Sequence, residues 1–584
     1  MIGTYLIFSM LVIVLLALAS GRFSPAKVFL AAFLALLIFY PNSDHLLADA
    51  VNPVLITLAA LYVVVGALVN TGATQGVARL IMHQPKGEYV PKRVLLFTSA
   101  LSAFVNNSPV VAMLTRVVQG HARRFGISPS RWLLPISYAS ILGGTCTLIG
   151  TSTNLLVDGM MQQANGYSFA LFELAWVGIP LVMAGWLYLR FIAHHLLPKR
   201  EGSGEQFDHV REYMVEMLIQ QGSELAGKTI IDAGLRNLPG LFLVELERDN
   251  QVLSAVRPRT VLNAGDRLIF AGSPESVLEL RNFQGLVIAD DHRFKLEGDR
   301  GDRRLFEAVL SPSNPMIGKT IKEARFRHRY SAVVLSVSRH GARLRGRLGD
   351  ITLQPGDTLL IEAQKGFLFR YRNSKDFLLV SKFAETDQTD TKKANFALSV
   401  FLVMILVTAL GFVSIFQASI VAAVVMVAGR CINFEDASKT IDYSVLLIIA
   451  CALGIGGAVQ DSGLASHIAS NILFMTDNPI VLLICVYVFT VCMTELISNN
   501  AAAVIMLPIA LSAAEPLGLN PVPFAVAVMI AASASFMTPT GYQTNLMVMG
   551  PGGYQFSDYF KVGAPLSVIV AVIALTIIPI IWPL

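Results

Sequence analysis

Two short strings of amide and hydroxyl residues interrupt apolar sequence, Val105-Asn106-Asn107-Ser108-Pro109 and Ile497-Ser498-Asn499-Asn500-Ala501. Each has the same downstream partner, Gly150-Thr151-Ser152-Thr153-Asn154 in the first half and Gly541-Tyr542-Gln543-Thr544-Asn545 in the second. Asn and Ser side chains offer neutral oxygens. A helix broken at Gly adds free carbonyls, which suit a hard cation such as sodium, and exposes an N-terminus that favours an anion. At membrane depth such groups are tolerated only where protein or a water-filled cavity receives them, so a duplicated pair points to a transporter.

The elements that must position these strings follow from composition. Hydrophobic residues make up 54% of the 584 residues and charged residues 15%, and the mean hydropathy is +0.59. A polytopic membrane protein is expected, not a soluble one. Apolar stretches able to span, or nearly so, run at about 2–19, 26–40, 53–70, 132–157 and 172–197, and again at 396–415, 417–430, 443–460, 522–549 and 562–582. The stretch from Met1 to Ala19 lacks a basic start and a small-residue cleavage site, and reads as a first span. The five cysteines fall in apolar runs without CxxC spacing, which marks them as reduced packing residues.

Charge placement orients the polar strings. Lys86, Lys92 and Arg93 precede the first, and Arg116, Arg123, Arg124 and Arg131 follow it, so both flanks are expected to be cytoplasmic. The apolar segment 94–118 then enters and leaves on one side, as a re-entrant hairpin with Asn106, Asn107 and Ser108 near its tip. No Lys or Arg occurs from Thr440 through Phe560, where loops carry Asp461, Asp477, Glu515 and Asp558. The second hairpin, 480–514, is therefore expected to enter from outside. Arg22 and Lys27 place the first connection inside, and Arg190, Lys199 and Arg200 bring the fifth span back inside. This arrangement leaves both termini external and the centre of the chain cytoplasmic.

The halves match in order. Gly66-Ala67 and Gly72 answer Gly457-Ala458 and Gly463, and Thr147, Gly150 and Asn154 answer Thr538, Gly541 and Asn545 at the same spacing, while Asn107 and Asn499 are one residue out of step. Five crossings per half is the odd number that an inverted-topology repeat requires. The centre carries a second repeat: Gly227-Lys228-Thr229-Ile230 returns as Gly318-Lys319-Thr320-Ile321, and Gly265-Asp266 as Gly356-Asp357. Two small α/β modules are expected there. The fold class is thus a polytopic α-helical inverted-repeat transporter with two opposed re-entrant hairpins, broken helices and two inserted α/β domains. Its parts are a first repeat at 1–200, modules at 205–295 and 300–385, and a second repeat at 394–584.

Asn107-Ser108-Pro109-Val110-Val111-Ala112-Met113, Ser498-Asn499-Asn500-Ala501 and Gly150-Thr151-Ser152-Thr153-Asn154 resemble the motifs of the divalent anion/sodium symporter family of the ion transporter superfamily. That family carries Ser-Asn-Thr at the tip of each hairpin and a Gly-Thr-x-x-Asn-type break in the following helix. The resemblance implies one sodium site at Asn106, Asn107, Ser108 and Gly150, and another at Ser498, Asn499, Asn500 and Gly541. It implies a substrate contacted by Asn107, Ser108, Thr151, Asn499, Asn500 and Tyr542, with Asn154, Thr538 and Asn545 supporting the breaks. Asn106, Asn500, Tyr542 and Gln543 depart from the family pattern.

The implied activity is sodium-coupled symport of a sulfate-type or C4-dicarboxylate anion through an inner membrane, by a homodimer, with sodium as coupling ion and no organic cofactor or nucleic-acid partner. The central repeat resembles the C-terminal ligand-binding modules of potassium-conductance regulators (RCK), whose small-molecule ligand is often unknown. Other readings stay open. Glu495, one turn before the second string, admits a proton-coupled transporter or a sodium/proton antiporter. The regulator-like modules admit a gated channel, although no TVGYG-type filter is present. No nucleophile–base or metal-ligand spacing argues for an enzyme.

Overall fold

The computed structural model describes residues 2–19, 25–40, 43–73, 90–125, 127–199, 214–235, 241–248, 251–254, 259–272, 283, 285–288, 303–339, 342–344, 348–364, 366–371, 374, 376–382, 391–464 and 478–584. Arg22, Lys86, Arg200, Asp477 and the proposed module limits at 205, 295, 300 and 385 lie outside these residues. The chain divides into two compact units, Met1–Lys199 with Asp387–Leu584, and Arg200–Thr386.

The larger unit is helical. Several of its helices start on an Asn-Pro pair: Asn52, Asn478 and Asn520 accept from the amides of Val54 (2.9 Å), Ile480 (2.9 Å) and Val522 (3.1 Å), and the following Pro occupies a first-turn position that needs no donor. Five helices among the described residues are long and apolar enough to cross a membrane, or six if one bent pair is counted as a span. Their outward positions stay apolar, with Leu406, Phe489 and Ile580 between 58% and 70% exposed, as expected of surfaces that face lipid.

The two halves pack by matching rules. Pro53–Asn70 lies on Ile415–Ala428, and Tyr443–Asp461 lies on Pro25–Phe39. Lys92–Ser102 packs on Leu133–Gly144, and Pro479–Leu496 packs on Pro521–Ser533. Every residue of Leu133–Gly144 is buried, and so is every residue after Pro521 in its counterpart. These two helices are the inner staves. Close approach explains their small residues, since a Cβ on Gly143 would lie 2.2 Å from the Ser99 carbonyl oxygen.

Both long apolar stretches, 132–157 and 522–549, are interrupted. The first is Leu133–Gly144 and Ser152–Asn165, and the second is Pro521–Ser533 and Gln543–Gly552. The first polar string joins Lys92–Ser102 to Asn107–Phe125, and the second joins Pro479–Leu496 to Asn499–Ala514.

The smaller unit is built mainly from strands. Its strands are β1 (Met214–Ile219), β2 (Leu241–Arg248), β3 (Gln251–Ser254), β4 (Arg267–Gly272) and β5 (Leu286–Ile288), then β6 (Arg303–Leu310), β7 (Ala332–Arg339), β8 (Ala342–Arg343), β9 (Thr358–Gln364) and β10 (Phe377–Lys382). They form two five-stranded sheets of identical order, β3-β2-β4-β1-β5 and β8-β7-β9-β6-β10, with antiparallel pairing throughout. The expected α/β modules therefore differ in balance: the described α-helices are only Phe326–Tyr330 and Gly366–Tyr371, with one short 3-10 turn at Leu348–Asp350. Gly265 (φ +88°) and Gly356 (φ +81°) hold the matching turns that lead into β4 and β9.

Each sheet is locked by the same ion pair. Arg248 bonds both carboxylate oxygens of Asp266 at 2.7 Å and donates to the Val261 carbonyl at 2.8 Å. Arg339 does the same to Asp357 (2.7 and 2.9 Å) and Thr352 (2.7 Å), and that carboxylate holds the guanidinium above its ordinary pKa. In the second core, burial and a bond to Asp376 raise the Tyr330 phenol.

Candidate functional site

The first hairpin tip is fixed from beneath by hydroxyls. Ser102, at the end of the incoming arm, donates to Asn107 Oδ1 and lies 2.8 Å from Ser140 of the inner stave. The second tip repeats this. The Thr494 hydroxyl lies 2.9 Å from Asn499 Oδ1 and 2.6 Å from the carbonyl oxygen of Ala532 on its own stave. Orienting each Asn by its Oδ1 turns its amide donors away from the arm.

The breaks are also duplicated atom for atom. Asn154 Nδ2 donates to the carbonyls of Gly144 (3.3 Å) and Thr147 (2.9 Å), and Asn545 Nδ2 donates to those of Ser535 (3.0 Å) and Thr538 (3.2 Å). An unwound stretch frees carbonyls from their helical partners, and one Asn amide re-satisfies two of them. Thr147 bonds the Ala103 carbonyl, and Thr538 reaches the carbonyl of Glu495 (3.4 Å) and its Oε2 (2.7 Å). Glu495 Oε1 also accepts from the Met537 amide at 2.9 Å, so the acid braces the second break from one side.

Gly150 and Gly541 stand where space is short. Neither has a positive φ. A Cβ on Gly150 would sit 2.5 Å from the Gly144 carbonyl oxygen, and on Gly541 2.0 Å from Ser535 Oγ, so lack of space demands glycine. No strain is needed at these positions.

Each tip meets the broken helix of the other half. Asn107 Nδ2 donates to the Tyr542 hydroxyl, which also bonds the Thr151 side chain, and Ser108 Oγ donates to Gln543 Oε1 at 3.1 Å. At the second tip, Asn500 Oδ1 accepts from Thr153 (2.9 Å) and lies 3.4 Å from Ser152 Oγ. The helices starting at Ser152, Asn499 and Gln543 have no side-chain cap on their first turns. Their N-terminal amides thus lie beside the tips, where they can receive an anion.

Of the residues expected at a site, Asn107, Ser108, Thr151 and Tyr542 form one connected set, and Asn500 meets the turn that follows Thr151. Asn499 stays on its own hairpin, bonded to Thr494. Asn106 lies half-buried in the turn before Asn107. Ser498 is the residue before the helix Asn499–Ala514, and its hydroxyl is buried with no hydrogen-bond partner among the described residues. Asn154, Thr538 and Asn545 stand at the breaks.

Ser102, Ser140 and Thr494 belong to the same assembly and were not anticipated. One signal was available, because Ser102 precedes Asn107 and Thr494 precedes Asn499 by the same interval. Among the described residues, no group of three or more His, Cys, Asp or Glu side chains could hold a metal ion.

Residues 9–529 match the family described as citrate transporter. The chain belongs to the citrate transporter family. It is therefore a membrane transporter and not an enzyme. A Chlamydomonas reinhardtii protein named as a sulfur deprivation response regulator is 34% identical over 567 residues, covering 94% of this chain and 96% of its own. An uncharacterized transporter of Synechocystis is 32% identical, covering 89% of this transporter and 87% of its own length. Sodium/sulfate cotransporter 2 of Chlamydomonas reinhardtii is 24% identical, covering 90% and 83%.

Proposed function

We propose that this transporter is a sodium-coupled symporter of a small divalent anion, sulfate or a C4-dicarboxylate. The observation that carries the reading is the meeting of hairpin tips with uncapped helix N-termini from the opposite half. Such amides favour negative charge. No Lys or Arg occurs within either tip string or either Gly-x-x-Thr-Asn string, so a bound dianion needs co-bound cations. The tip oxygens are neutral and suit sodium.

One sodium would be held by Asn106, Asn107, Ser108 and the backbone at Gly150, and a second by Ser498, Asn499, Asn500 and the backbone at Gly541. The unpartnered Ser498 hydroxyl supports the second site, because a buried oxygen without a donor is costly unless a cation uses it. The anion would lie between the tips against Thr151 and Tyr542. The names of relatives that carry sodium and sulfate support the same reading.

Transport would proceed by alternating access, with the hairpin-bearing bundle moving against the remaining helices. Opposed entry of the hairpins and a cytoplasmic central unit follow from the charge placement, and the duplicated bonding supports a repeat. A homodimer in an inner membrane, and ligand-binding RCK-like modules, belong to the same proposal. The buried Glu495 favours one second reading, proton coupling through that acid. Initial rates of labelled sulfate and succinate uptake into proteoliposomes, at zero and high sodium and at two external pH values, separate the two. Sodium-dependent uptake that varies little with pH supports symport with sodium, and uptake driven by a pH gradient alone refutes it.

A further inference from the structure

The two ends of the site are built from unlike side chains. By the spacing of the repeat, Tyr542 stands where the first half has Thr151, and Gln543 stands where it has Ser152. Thr544 and Thr153 agree. The second half therefore places a phenol and a carboxamide where the first places two short hydroxyls.

The longer side chains reach across to the first tip. Tyr542 is 8% exposed, and its hydroxyl bridges Asn107 and Thr151. Gln543 Oε1 accepts a hydrogen bond from Ser108 Oγ at 3.1 Å. At the other end, Ser152 and Thr153 touch Asn500 through hydroxyls alone, so no bulky side chain enters from that side. Asn107 and Ser108 are both engaged, while the amides at the start of Ser152–Asn165 and Asn499–Ala514 stay uncapped by side chains.

We infer that Tyr542 and Gln543 are specificity-determining residues that shorten the anion site, so that it takes a compact tetrahedral dianion of the sulfate class and rejects four-carbon dicarboxylates and citrate. This rests on the anion-transport reading above. A tetrahedral oxyanion can receive amide donors converging from one end. A dicarboxylate needs its second carboxylate accommodated where Tyr542 and Gln543 stand, and displacing their bonds would leave Asn107 and Ser108 unpaired.

The test separates binding from transport. Purified full-length protein is heated in detergent with sodium and an excess of sulfate, selenate, succinate or citrate, because a ligand bound to the folded state raises the unfolding temperature. Stabilisation by sulfate and selenate, but not by succinate or citrate, is expected. Equal or greater stabilisation by succinate or citrate overturns the inference, whether or not uptake is sodium-coupled. Loss of sodium dependence in uptake, with the sulfate-selective shift intact, refutes the symport reading alone. The double variant Tyr542→Thr/Gln543→Ser, which copies the first half, should raise the succinate-to-sulfate uptake ratio by about 10-fold or more. A correctly inserted variant that keeps the wild-type ratio contradicts the inference. If it does not fold, the wild-type stabilisation series still decides.

Discussion

The duplicated asparagines at the helix breaks give the sharpest quantitative expectation. Asn154→Ala removes an amide that serves two carbonyls, Gly144 at 3.3 Å and Thr147 at 2.9 Å, and Asn545→Ala removes the equivalent bonds to Ser535 and Thr538. At about 0.5–1.5 kcal/mol for each bond, the broken conformation loses about 1–3 kcal/mol against alternatives in which the stretch rewinds or collapses. That range corresponds to about a 5- to 150-fold loss in the competent population. Asn545→Ala should fall at the upper end, because its Oδ1 also accepts from Ser137 at 2.8 Å, whereas Asn154 Oδ1 is buried without a partner. Asn154→Asp is the discriminating control. It keeps the shape but, when ionised, offers no donor to the two carbonyls, so it should be at least as harmful as alanine. The assay is the initial rate of sodium-driven sulfate uptake, normalised to inserted protein. Uptake by Asn154→Asp within about twofold of wild type would show that donation to the break does not hold the site, since the losses above begin near fivefold.

Further expectations follow from single contacts. Ser498→Ala deletes an unpartnered buried oxygen beside the second tip and should raise the half-saturating sodium concentration by about 10-fold, with little change in thermal stability, in uptake titrations. Gly563→Ala places a Cβ 2.1 Å from the Phe536 carbonyl oxygen and should cost about 1–3 kcal/mol or more. Gly411→Ala meets open space at a φ of +73° and should cost only about 1–2 kcal/mol. Size-exclusion profiles after graded heating rank that pair. Arg339→Met leaves the fully buried Asp357 without its cation and should destabilise the second sheet by about 3–5 kcal/mol, read as faster limited proteolysis of the central unit.

Much of the site was legible because its chemistry is costly in an apolar setting. An Asn next to an unwound stretch stands out among Leu and Ala, and its fixed spacing from Thr147 or Thr538 reflects the reach of one amide to two carbonyls. The supports were not legible. Ser102, Ser140 and Thr494 are small hydroxyl residues of the kind that pack helices everywhere, and only their placement beneath Asn107 and Asn499 gives them a role. The pairing of Ser108 with Gln543, and of Asn500 with Thr153, joins residues from opposite halves, which no local pattern encodes. The central repeat was visible through Gly265-Asp266 and Gly356-Asp357. Its antiparallel pairing was not, since short apolar runs between glycines fit strands of either direction.

The central claim is that sodium and a dianion bind together where the hairpin tips meet the broken helices. Uptake of radiolabelled sulfate into proteoliposomes, driven by an inward sodium gradient and repeated with potassium in its place, tests it most directly. Accumulation that requires sodium and is abolished by both Asn107→Ala and Asn499→Ala is the predicted result. Equal uptake in potassium, or full sodium-driven uptake by either inserted variant, would contradict it.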